Sequence, residues 1–345
     1  MFLVRKVFPV LFLAVVALLA GCGSNKPASP PAGGTVGGPV VTTQPGSSSN
    51  SNITIAVIPK GTTHDYWKSV QAGAETAGKK ENVQIDWKGP LREDDRAGQI
   101  QIVQNFVADN VSGIVLAPLD ENALTQPVQA ATAKHIPVVI IDSALKGTPG
   151  KDFISFVATD NHKGGLLGGE RLAKLLKGKG KVVMLRYEEG SASTEAREAG
   201  FLDAMKENPG IQIISDNNFG GATMGEAQTK AMQMVDQLKQ ADGIFCPNES
   251  TTLGMLHALQ QNNLAGKVKF VGFDTSGPLI DALNAGQIDA LVAQNPTKMG
   301  YVGVQEIVDK IHGKPVPANV DTGVTVVDKT DLNTPDIQKL LGGTH

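Results

Sequence analysis

The chain has 345 residues, a formal net charge of −3, 41% apolar residues and only 5% aromatic ones. That length accommodates one large or two medium domains, and the near-neutral balance gives no electrostatic footprint for nucleic acid. Two cysteines exclude a disulfide framework, and six scattered histidines show no pair at metal-ligand spacing.

Residues 1–22 read as a targeting segment. Arg5 and Lys6 precede an apolar run from Val7 to Ala20, too short and wrongly flanked to span a membrane, which is the pattern of a signal peptide. The run ends in Leu19-Ala20-Gly21-Cys22, which resembles the lipobox of bacterial lipoproteins. That resemblance implies cleavage before Cys22 and a lipid on its sulfur. Residues 23–52 are dominated by Gly, Pro, Ser, Thr, Asn and Val. They are too poor in apolar area to fold and are expected to form a disordered tether with a reach of roughly 30 Å.

From Ile53 onward strand-like and helix-like runs alternate. The first strand, 53–58, is short, β-branched and apolar, as a buried parallel strand should be. A polar loop follows, then a helix from Tyr66 with Asp65 as its expected N-cap. In a chain so poor in aromatics, Tyr66-Trp67 stands at the C-terminal end of the first strand, the edge where open α/β sheets bind ligands. The pair is therefore expected to wall a small-molecule site. Further strands are expected at 83–87, 113–117, 137–141, 153–157, 181–186, 211–215, 243–246, 268–273, 288–293 and 322–327. Helical periodicity marks 97–109, 164–176, 195–207, 225–239 and 252–261. Such alternation implies right-handed βαβ units and parallel sheets, and eleven strands imply two lobes. Cys246, in the apolar run Ile244-Phe245-Cys246, reads as a small buried hydrophobe.

In order, IAVIPK, GIVLAPLDENAL at 113–124, IPVVIIDS at 136–143, ATDNHKGGLLGGE at 158–170, TEAREAGF at 194–201, IFCPNESTTLGMLHAL at 244–259, KFVGFDTS at 269–276 and ALVAQNPTKMG at 290–300 give the chain its kinship. With these motifs it resembles the type I periplasmic sugar-binding proteins of ABC importers, the ribose-binding class. The resemblance implies an α/β fold of two Rossmann-like lobes with parallel sheets, joined by a three-strand hinge. Lobe one would be 53–158 plus 295–320, and lobe two 159–294 plus 321–345, with crossings near Thr159, Gln294 and Asp321.

The resemblance also implies the ligand set. Tyr66 and Trp67 stand where the family carries stacking aromatics, and Phe219 is a weaker candidate for the second ring face. Asp142, Asn248 and Asp274 end strands and match polar ligand positions; a strand-end Asp can also cap the following turn. Arg197 offers a planar fork suited to vicinal hydroxyls. Gln294 falls at a crossing and is expected to touch both ligand and hinge. Lys60 and His64 share the first loop; Lys60 either donates to a ligand group or is a solvated loop residue. Glu249 replaces the commoner Asp and is read as a cap for the helix from Ser250. Tyr-Trp in place of two Phe, Lys60 and His64 in place of small or amide residues, and Ala117 in place of Asn depart from the ribose pattern. They leave open a larger, deoxygenated or charged ligand.

No catalytic constellation is present: the glycine pairs at 164–165 and 168–169 are not a phosphate loop, and there is no Gly-x-Ser-x-Gly elbow. The expectation is a binding protein, not an enzyme, without cofactor, metal or nucleic-acid partner. As a monomer it would be lipid-anchored in the cell envelope, deliver a monosaccharide or polyol to an ABC permease, and close by hinge motion. The other reading is a sensory protein for a furanosyl signal, since IPK and Trp-Lys-Gly-Pro at 87–90 also resemble that subgroup.

Overall fold

A computed structural model describes residues 53–342; residues 1–22, the tether 23–52 and Cys22 lie outside the described residues. All eleven expected strands have counterparts. The first sheet holds β1 (Thr54–Ile58), β2 (Gln84–Trp87), β3 (Gly113–Leu116), β4 (Val138–Ile141), β5 (Ser155–Ala158) and β11 (Asn319–Asp321), in the order β11-β5-β4-β3-β1-β2. Every pairing in it is parallel. The second holds β6 (Gly180–Arg186), β7 (Ile211–Phe219), β8 (Gly243–Phe245), β9 (Lys269–Phe273), β10 (Ala290–Gln294) and β12 (Val324–Asp328), in the order β12-β10-β9-β8-β6-β7. Only β12 runs antiparallel to its neighbour.

Helices cover both faces of each sheet. They are α1 (Asp65–Glu81), α2 (Arg96–Ala108), α3 (Thr125–Ala133), α4 (Asn161–Leu175), α5 (Ala192–Lys206), α6 (Met224–Gln233), α7 (Val235–Leu238), α8 (Glu249–Gln261), α9 (Gly277–Asn284), α10 (Pro296–Ile311) and α11 (Pro335–Leu340). The continuous apolar character of the central strands follows from this double cover. On β1, Ile55 and Val57 face one core while Ala56 and Ile58 face the other, the alternation that strand geometry requires.

Glycine sets two helix pairs. Gly165 of α4 lies against the carbonyl of Arg197, and Gly200 of α5 against that of His162; a Cβ at either would collide with backbone. In the first lobe Gly73 of α1 and Gly300 of α10 meet the carbonyls of Thr297 and Val70 in the same way.

The chain passes between sheets three times: after β5, after β10, and between β11 and β12. Side chains beside these passages are tied together. The Thr159 hydroxyl donates to Gln294 Oε1 at 3.0 Å and lies 3.4 Å from the Thr322 hydroxyl.

Two local expectations are corrected. Strand β11 carried no strand signal, because Asn319–Asp321 is a three-residue edge segment, paired to β5, with Val320 as its single apolar side chain against the core. Asp65 is not the N-cap of α1 but its first residue; His64 precedes the helix and makes no side-chain cap.

Candidate ligand-binding site

The C-terminal edges of the two sheets face each other across a small cavity of about 30 Å3, room for one or two ordered waters as it stands. Nine of the ten predicted side chains line it: Lys60, His64, Tyr66, Trp67, Asp142, Arg197, Asn248, Asp274 and Gln294.

Asp142 and Asp274 are structural counterparts. Each directly follows a buried parallel strand, β4 or β9, and each turns through the left-handed region, at φ +65° and +72°. A short polar side chain tolerates that conformation better than most. Asp142 accepts from the Tyr66 hydroxyl at 2.9 Å and pairs with Lys60 at 3.1 Å. Asp274 accepts from the Glu249 amide at 2.9 Å and from Gln294 Nε2 at 2.7 Å. Burial, reinforced by the charge of Asp142, raises the Asp274 pKa against the opposing pull of Arg197 and these hydrogen bonds.

The cations are already engaged by protein groups. Lys60 is buried, and beyond Asp142 its ammonium donates across the cleft to Ser191 at 3.3 Å and Ser193 at 2.9 Å. Three donors thus meet three acceptors. Arg197 donates from Nε to Asn161 at 2.8 Å and from one Nη to the Pro247 carbonyl at 2.9 Å, and its guanidinium lies 4.0 Å from the centre of the Phe273 ring. Its other amino group takes no part in these bonds.

Glu93, on the loop before α2, was not foreseen. Its buried carboxylate accepts from His64 Nδ1 at 2.7 Å, Trp67 Nε1 at 2.6 Å and the Tyr187 hydroxyl at 2.7 Å. Burial opposes its charge, yet His64, Lys60 and the Trp67 bond hold its pKa down at about 2. Burial likewise opposes a charged His64, but Glu93, with Glu249 and Asp274, raises it to about 9. Tyr187, Ser193, Thr194 and Glu249 complete the lining beyond the predicted set. Burial, then nearby carboxylates, raises both tyrosines, Tyr66 and Tyr187, well above their ordinary range, so they remain hydroxyl donors.

Three predicted roles change. Asn248 is the N-cap of α8: its Oδ1 accepts from the Thr251 amide and hydroxyl, and its Nδ2 donates to Ser250. Glu249 is therefore not the cap but the first helical residue, free to reach out of its lobe. Phe219 does not line the cavity. It sits at the end of β7 beneath the Arg186 guanidinium, 5.9 Å from the ring centre, beside a separate surface depression. The second aromatic surface inside the cavity is Tyr187. Among the described residues no group of three or more His, Cys, Asp or Glu is arranged to hold a metal ion, and no helix is long and apolar enough to cross a membrane. Cys246 is fully buried, and burial pushes its thiol up, as a packing residue's would be.

The family described as periplasmic binding protein domain matches residues 55–315. The chain belongs to this family. It is a family of transport binding components and not of enzymes. The D-allose-binding periplasmic protein of Escherichia coli is 28% identical over 79% of this chain and 89% of its own length. A carbohydrate transporter solute binding protein from Agrobacterium radiobacter, solved in complex with D-arabinose, is 35% identical with a TM-score of 0.79, covering 84% of this chain and 98% of that one. An ABC transporter solute binding protein from Agrobacterium vitis, solved with bound D-fucose, is 34% identical with a TM-score of 0.80, covering 83% and 98%. Two lobes of mostly parallel sheet are thus the type I arrangement expected from the sequence.

Proposed function

We propose that this protein binds an uncharged monosaccharide or related polyol between its lobes and presents it to an ABC permease. The observation that carries this reading is the composition of the cavity: aromatic faces of Tyr66, Trp67 and Tyr187 beside the polar groups of Asp142, Arg197, Asp274 and Gln294. A sugar presents both a polarised C–H face and hydroxyls that donate and accept. Absence of net charge follows from the pairing, since Lys60 and His64 are committed to Asp142 and Glu93. An anionic ligand would find only the uncommitted amino group of Arg197, beside the carboxylate of Asp274. The relatives with D-allose, D-arabinose or D-fucose in their names support the same class.

The moving bodies in this reading are 53–158 plus 295–320 and 159–294 plus 321–345, turning about the Thr159, Gln294 and Thr322 passages. Ligand selects the closed form because only that form offers both sets of contacts. Residues 1–22 act as the signal, Cys22 carries a lipid, and 23–52 tether the folded body in the cell envelope. The test is calorimetric titration with D-allose, D-arabinose, D-fucose and D-ribose. At least one sugar should bind wild type, and Arg197→Ala and Asp274→Asn, each shown to be folded, should bind it at least about tenfold more weakly. Undiminished affinity in both variants refutes the site.

A further inference from the structure

Helix α1 begins at Asp65 without a cap of its own. The first N–H groups of a helix have no partner within it, and a sequence so placed normally supplies a Ser, Thr, Asp or Asn side chain. Here the partner comes from the opposite lobe. Glu249, first residue of α8, reaches across the cleft and accepts the Asp65 amide on Oε1 at 3.3 Å and the Tyr66 amide on Oε2 at 3.0 Å. The positive end of the α1 dipole favours a carboxylate there. The backbone of the same residue donates to Asp274. Glu249 therefore touches one ligand-facing group on each lobe, Tyr66 through its side chain and Asp274 through its amide. Aspartate is one methylene shorter, and Glu249 is where the sequence departs from it.

We propose that Glu249 is a closure clasp: a positioning residue that completes the cap of α1 only when the cleft is shut and thereby slows ligand release. This rests on the reading of the cavity as a hinged binding site. In the open form both α1 amides are hydrated and the carboxylate is in water. On closing, all three lose water together, and any variant without the carboxylate buries two unpaired donors.

The experiment uses the full chain in detergent, with D-allose, D-arabinose, D-fucose and D-ribose as probes. Stopped-flow fluorescence of Trp67, which faces the cavity, reads association and release. Glu249→Ala and Glu249→Asp should release the bound sugar about tenfold faster with association little changed, and Glu249→Gln, which keeps one acceptor, should fall between. Hydrogen exchange with and without saturating sugar forms a second arm: the Asp65 and Tyr66 amides should gain protection on binding in wild type and should not in Glu249→Ala, while the rest of α1 behaves alike in both. Unchanged release, or a loss confined to association, overturns the clasp, as does unchanged exchange at both amides. If no sugar binds wild type, the binding reading fails; if a sugar binds but neither amide gains protection, the clasp fails and the binding reading stands.

Discussion

Replacing Glu93 with Gln removes one negative charge from a node that three donors share. His64, Trp67 and Tyr187 all point at this carboxylate, and Tyr187 does so from the other lobe. Displacement of the Glu93 pKa from 4.5 to about 2 corresponds to roughly 3 kcal/mol of folded-state preference for the charged form. The rise of His64 from 6.5 to about 9 describes the same pairing from the other side and is not added to it. Gln retains one acceptor, so the loss should approach but not exceed that figure, a fall of up to about 5 °C in the unfolding midpoint for a fold of this size. The pH dependence is more diagnostic. His64 holds its proton more tightly folded than unfolded, so its contribution is complete below pH 6.5 and is lost as pH rises through 9. Glu93 behaves oppositely: its contribution is complete above 4.5 and is lost as pH falls through 2. The gap between wild type and Glu93→Gln should therefore be widest between pH 4.5 and 6.5 and shrink on either side. The difference must be used, because Glu198, Glu249 and Glu306, each raised to about 7 by burial, withdraw stability separately between pH 4.5 and 7. Thermal or urea unfolding from pH 4 to 9 measures it. A gap that is constant with pH would refute the ion pair as its origin.

Lys60→Met should destabilise by about 3–5 kcal/mol, because it leaves buried Asp142 without its counter-charge. Adding Asp142→Asn should recover much of that loss, and urea unfolding of the two singles and the double gives the coupling. Gly165→Ala should cost about 1–3 kcal/mol by forcing α4 off α5. Because the obstructing carbonyl belongs to Arg197, the same variant should also weaken sugar affinity, which calorimetry would show. Gly225→Ala, on a helical glycine whose added Cβ meets nothing, should leave affinity unchanged and stability unchanged or raised by up to about 1 kcal/mol, and serves as the control.

The fold was legible because its strands are buried on both sides and so appear as plain apolar runs. Strand β11 escaped because it is a three-residue edge strand whose only apolar side chain is Val320, too short a run to give a periodic signal. The lining residues near strand ends were legible for a related reason: parallel topology brings those ends together, so a polar residue after an apolar run is a candidate wherever it occurs. Glu93 and Tyr187 lie outside that logic. Each matters through a partner distant in sequence, and nothing local distinguishes Glu93 from the charged loop around it. Phe219 failed in the opposite sense: it ends β7, the edge strand of its sheet, and faces Arg186 instead of the cavity. Asn248 was located correctly, but its side chain is spent on α8.

The two aspartates show why the choice of substitution decides what a binding experiment means. Asp142 and Asp274 hold left-handed backbone at the same point of two sheets, and that geometry aims each carboxylate into the cavity. Alanine at Asp274 would remove the ligand group, release Gln294 and place a less tolerant residue at positive φ. A loss of affinity would then have three sources. Asparagine keeps the conformational tolerance and one acceptor for the Glu249 amide or Gln294, so what it loses is chiefly the charge and the second strong acceptor. A ligand that depends on Asp274 for two hydroxyl contacts should register that loss fully, whereas one that merely sits beside a correctly bent strand should not. Weak binding by Asp274→Asn with an unchanged unfolding midpoint therefore identifies direct contact, and weak binding with a lowered midpoint identifies a scaffold effect.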